Sequence, residues 1–89
     1  MSHAPVFIPP QMRDLTAGAS QVEVAGASVR EVVEALEASF PGIRGRICAG
    51  EELAPSLQIS IDHVMSTRGL RAKVQPSSEV HFLPAIGGG

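Results

Sequence analysis

The sequence predicts a two-layer α+β domain, a small sheet covered by one main helix. Three observations point to it: β-rich runs near both ends, an amphipathic helix between them, and a length of 89 residues that leaves room for a single core. Val6-Phe7-Ile8 is the first run, bounded by Pro5 and by Pro9-Pro10, which cannot donate to a sheet ladder. Gln11 to Gly18 forms a link. Gln21-Val22-Glu23-Val24-Ala25 then alternates with period two up to Gly26, so the two runs make a hairpin with one solvated face.

The helix has the clearest signal. Ser28 stands three residues before Glu31, the spacing at which the two side chains satisfy free N–H groups of a helix start reciprocally. Val29, Val32, Val33, Leu36 and Phe40 recur at helical spacing as one apolar stripe, while Arg30, Glu31, Glu34 and Glu37 fall on a solvated side. Pro41-Gly42 stops the helix after Phe40. Beyond it, Ile43 and Ile47 suit one helical turn, and Glu51 to Pro55 reads as loop. Leu57-Gln58-Ile59-Ser60-Ile61 is a strand with Leu57, Ile59 and Ile61 on one face. Asp62 to Arg71 carries no clear pattern, Leu70 to Val74 suits a short edge strand, and Gln75-Pro76-Ser77-Ser78 suits a turn. In the last strand, Glu79 to Leu83, Val80 and Phe82 share one face and His81 and Leu83 the other.

Composition narrows the function classes. With 44% apolar residues, no run near the roughly 18 needed for a membrane span, and no basic-then-apolar start, the chain is expected to be soluble and cytoplasmic, without a membrane partner. The single Cys48 cannot form an internal disulfide and is expected to act as a small, half-buried residue. Nine acids against seven scattered bases, with no Trp or Tyr, argue against a nucleic-acid partner. His3, His63 and His81 lack metal-ligand spacing, so no metal site is expected. No nucleophile–base pair or phosphate loop is recognisable either, so the chain is not expected to be an enzyme in its own right.

The most informative segment is Gly87-Gly88-Gly89, which follows Glu79 to Ile86. Glycine loses more backbone freedom on ordering than any other residue, so packing does not call for three in a row. They suit a tail that must enter something narrow, while residues 1–84 form the folded body and 85–89 the tail. Strand alternation adds a docking patch: if Val6, Ile8, Val80 and Phe82 face the core, Phe7 and Leu83 point outward, beside Pro84 and Ile86. An α-carboxylate, with a pKa of about 3.3–3.7, is ionised at neutrality and a poor electrophile, so chemistry at Gly89 needs activation from outside.

Val80-His81-Phe82-Leu83-Pro84-Ala85-Ile86-Gly87-Gly88-Gly89, together with Val6-Phe7-Ile8-Pro9, Arg13, Thr16, Gly18 and Ser28-Val29-Arg30-Glu31-Val32-Val33, resembles the ubiquitin-like sulfur carriers of the MoaD/ThiS family. Gly87 departs from the family's more common Ala. Pro76-Ser77-Ser78 replaces the Gly-Asp turn often found before the last strand, and Asp62–Arg71 is shortened and lacks the usual Asn-Gly. The resemblance implies a β-grasp (ubiquitin-like) fold, with a mixed sheet of four to five strands. It also implies that an E1-like adenylyltransferase consumes ATP to activate Gly89, with no cofactor bound by the carrier. A sulfurtransferase or other sulfur donor then makes a thiocarboxylate, and a downstream synthase accepts the sulfur for molybdopterin, cysteine or a related product. Gly87 and Gly88 would thread the partner's site, and Phe7, Leu83, Pro84 and Ile86 would contact the partner. Two other readings remain open: a ubiquitin-like modifier joined through Gly89 to lysines, and a non-covalent β-grasp interaction module.

Overall fold

Alternation and the glycine-proline stops place the first two strands as a hairpin. In the computed structural model, which describes residues 3–85, β1 (Ala4–Phe7) pairs antiparallel with β2 (Gln21–Val24), from Ala4 opposite Val24 to Phe7 opposite Gln21. β1 thus starts two residues earlier than expected and includes Pro5. That proline is tolerated where β1 has a single neighbour, because the partner on its other side pairs only from Val6 onward.

The Ser28/Glu31 spacing closes a reciprocal cap of the expected kind, except that Glu31 reaches one residue past Ser28 to Ala27. Ser28 Oγ accepts the Glu31 N–H at 3.3 Å, and Glu31 Oε1 accepts the Ala27 N–H at 3.0 Å. α1 (Val29–Ser39) follows, with Val29, Val32, Val33 and Leu36 fully buried under the sheet. Its end departs from the expected solvated acidic face, because Glu37 bends toward the next turn. Its carboxylate accepts the N–H groups of Arg44 and Gly42, and these two bonds, the Arg44 bond first, hold its pKa below the usual value. Gly42 turns the chain at φ 101°, a conformation suited to glycine.

α2 (Arg44–Ile47) is the single turn expected from Ile43 and Ile47, both fully buried. The segment read as loop instead carries a small ribbon, β3 (Cys48–Ala49) against β4 (Glu52–Leu53). β5 (Leu57–Ile61) turns through Asp62 and His63 into β6 (Val64–Ser66), the edge of the main sheet. Gly69–Arg71 forms a 3-10 turn, and residues 72–74 do not join that sheet as the expected edge strand. They are drawn to the helix start instead: Val29 N–H donates to Ala72 O, Val74 N–H donates to Ala27 O, and Lys73 bridges to Ser28. Leu70, Ala72 and Val74 are buried there.

β7 (Val80–Pro84) inserts between β1, to which it is parallel, and β5, to which it is antiparallel. The sheet order β2-β1-β7-β5-β6 with one covering helix is the β-grasp arrangement, five strands in a mixed sheet. Its core joins Val6, Ile8, Val80, Phe82 and Ile59 to the helix stripe. Met12 and Thr16 from the β1–β2 link, which carried no core pattern in the sequence, are also buried there. The radius of gyration is 11.8 Å. Among the described residues no helix is long and apolar enough to cross a membrane.

Candidate functional site

A central strand is the firmest place in a sheet from which to project a tail, because it is bonded on both sides. β7 has this position, and its pairing with β5 continues to Pro84 opposite Leu57. Ala85 N–H then donates to Ser56 O at 2.8 Å, so the last described residue is still tied to the body. Ile86, Gly87, Gly88 and Gly89 lie outside the described residues.

Strand alternation sorts the side chains around this exit. Val6, Ile8, Val80 and Phe82 point into the core, and Phe7, His81 and Leu83 point to the face of the sheet that the helix leaves uncovered. Phe7 and His81 are register partners on neighbouring strands, and their rings stack with centroids 4.1 Å apart and planes 6° from parallel. Leu83 is 37% exposed, and Pro84 is exposed beside it. Phe7, Leu83 and Pro84 thus line one shallow depression, which Pro9, Pro10 and Arg13 also border. Arg13 is held by its Nε donating to Ile8 O at 3.0 Å.

His81 belongs to this surface, although in the sequence it is notable only as one of three histidines without metal-ligand spacing. The signal available was its alternation with Phe82, but the register that sets it against Phe7 is not legible in a single strand. His81 also approaches Glu79 Oε1 with its Nε2 at 3.4 Å, and the exposed His63 Nε2 approaches the same oxygen at 3.6 Å. Behind this cluster Asp62 is fixed by the Ser78 hydroxyl and the Glu79 N–H at 2.8 and 2.9 Å. Those two bonds, the Glu79 bond first, hold its carboxyl below the usual range.

Cys48 is half-buried and lines a different depression, with Glu37 and Arg44; burial pushes its thiol up, away from the reactive thiolate. Among the described residues, no group of three His, Cys, Asp or Glu side chains is placed to hold a metal ion. Phe7, His81, Leu83 and Pro84 together form an apolar and aromatic patch beside the end of β7.

The five-stranded mixed sheet under one main helix is the β-grasp fold of ubiquitin-like proteins. The chain belongs to the ThiS family, whose model matches residues 6–89. It is 31% identical to a chain of the Amycolatopsis orientalis BexX/CysO complex, covering 97% of this chain and 99% of that one with a TM-score of 0.88. CysO from Mycobacterium tuberculosis is 26% identical over 93% of this chain and 99% of that chain, with a TM-score of 0.86. Small archaeal modifier protein 1 from Methanosarcina acetivorans is 26% identical over 100% and 98% of the two chains, with a TM-score of 0.78. The chain is therefore one of the ubiquitin-like sulfur carriers and modifiers, a group of small carrier proteins. No curated protein matches it.

Proposed function

We propose that this protein is a sulfur carrier whose cargo site is the α-carboxylate of Gly89. An E1-like adenylyltransferase places that carboxylate on the α-phosphorus of ATP, releasing pyrophosphate and leaving an acyl-adenylate. Hydrosulfide delivered by a sulfur donor then displaces AMP, and a thiocarboxylate remains for transfer by a downstream synthase. The observation that carries this reading is the match to the ThiS family through residue 89, on a chain whose central strand leads to the three glycines. The two CysO comparisons, with higher TM-scores than the archaeal modifier, favour a CysO-type carrier among the pathways this chemistry serves.

The residues then have separate tasks. Phe7, Leu83, Pro84 and Ile86 dock the body on its partner, and Gly87 and Gly88 let a narrow channel close on bare backbone around the tail. From Pro84 to Gly89 the extended chain reaches at most ~20 Å, enough to enter a site while the body stays outside. Ordering each tail residue costs roughly 1–2 kcal/mol, so the docking patch must supply compensating contacts. The similarity to an archaeal modifier supports a second reading, transfer of activated Gly89 to a lysine.

Intact mass after incubation with ATP, an E1-like adenylyltransferase and hydrosulfide separates the readings. Replacement of one oxygen by sulfur on the carrier supports the proposal, and covalent conjugates support the modifier reading. An unchanged mass while the same enzyme thiolates a known carrier contradicts both and leaves a non-covalent module.

A further inference from the structure

The chain has seven basic side chains in a molecule of net charge −2, and they divide by employment. Arg13 bonds the Ile8 carbonyl, Arg44 pairs with Glu34 at 3.5 Å, and Arg46 pairs with Asp14 at 3.8 Å and bonds the Gln11 carbonyl. Arg30, Arg68 and Arg71 have no carboxylate within 4 Å among the described residues. All three are exposed, and all three line one open groove of about 780 Å³ between the start of α1, the 3-10 turn at Gly69–Arg71 and the β3–β4 ribbon. Lys73, which has no carboxylate within 4 Å among the described residues, lies next to this groove through its bridge to Ser28.

The fold concentrates these charges. Arg30 sits in the first turn of α1, where the helix dipole already favours anions, and the backbone bonds from Ala72 to Val29 and from Val74 to Ala27 draw the Arg68–Lys73 segment to the same helix end. Three arginines against Glu51 and Glu52 leave the groove with a positive excess on the Arg30–Arg68–Arg71 side, which an opposing charge relieves. The groove belongs to the helical layer. Phe7, His81 and Leu83 occupy the uncovered face of the sheet, so the two surfaces are separate.

We infer that this arginine-lined groove is a second docking surface, which takes an acidic segment of a partner protein. Glu51 and Glu52 also line the groove from the β3–β4 ribbon, and their charges disfavour a compact multianion such as pyrophosphate, which would meet them at close range. An extended peptide can set its carboxylates on the arginines and keep them clear of Glu51 and Glu52. The groove has no aromatic side chain on which a nucleic-acid base could stack. Guanidinium forks match carboxylates bidentately, which gives such a contact orientation as well as charge.

The test titrates the full, isotope-labelled chain with a short oligoglutamate peptide, with pyrophosphate and with an oligonucleotide, following backbone amides and arginine Nε–H signals. The inference expects oligoglutamate to shift Arg30, Arg68, Arg71 and their neighbours. It also expects binding to weaken by roughly tenfold in the Arg68→Glu, Arg71→Glu double variant, the order that a few exposed ion pairs supply together. Arg46→Gln should leave binding unchanged. Shifts spread over Arg13, Arg44 and Arg46 as well, unaffected binding in the double variant, or tighter binding of pyrophosphate or the oligonucleotide would overturn it. The three arginines are solvent-exposed, and retained amide dispersion verifies that the variants fold. None of these readouts involves Gly89, so the result is independent of the carrier chemistry.

Discussion

Ser28, Gly26 and Asp62 show how single residues fix this fold. Ser28 caps α1 through its hydroxyl, and Ser28→Ala is expected to cost about 1 kcal/mol in urea denaturation, the usual worth of such a cap. At Gly26 an added Cβ would stand 2.9 Å from the Val32 backbone nitrogen and 3.1 Å from its side chain. Gly26→Ala is therefore expected to destabilise by about 1–3 kcal/mol, read in the same denaturation series, because the helix start must shift to admit it. Asp62 acts through pH. Its folded pKa lies below the unfolded one, so its contribution is present above the unfolded value and is lost as pH falls through the folded one. Asp62→Asn should lower stability near neutrality and flatten the decline on the acid side, measured by denaturation across a pH series.

At the scale of elements, legibility followed locality. The helix was readable to the residue because its signals, the Ser28/Glu31 box and the Val29–Leu36 stripe, lie within three turns of one another. The same stripe sets an expectation: Leu36→Ala, at a fully buried position, should cost about 2–5 kcal/mol in chemical denaturation. β7 and its facing were readable from alternation alone. The β5–β6 hairpin was not, because its two-residue turn uses Asp62 at φ 52° and His63 at φ 70°, where the recognisable choice is Asn-Gly. Its geometry is held from a distance, by Ser78 and Glu79 bonding the Asp62 carboxylate. Residues 70–74 looked like an edge strand since Leu70, Ala72 and Val74 alternate. That alternation is real, but it is satisfied against the helix start. The burial of Met12 and Thr16 and the Phe7–His81 stack depend likewise on long-range placement.

The whole molecule is a body of 40 × 27 × 22 Å that carries an apolar patch on one layer and a basic groove on the other. If the patch docks the partner that activates Gly89, then Leu83→Asp, at an exposed position, should leave folding intact and slow pyrophosphate release in the activation reaction. A bulky replacement at the tail, Gly88→Trp, should block the same reaction with an unchanged unfolding transition, since a channel closed on bare backbone has no room for an indole. The account's central claim, that the carboxylate of Gly89 is the cargo site and the body delivers it, is tested most directly by shortening the chain. In a deletion strain that needs this protein for its sulfur metabolite, the full chain should restore growth and a version lacking Gly88 and Gly89 should fold but fail to do so. Full growth with the shortened version would contradict the claim.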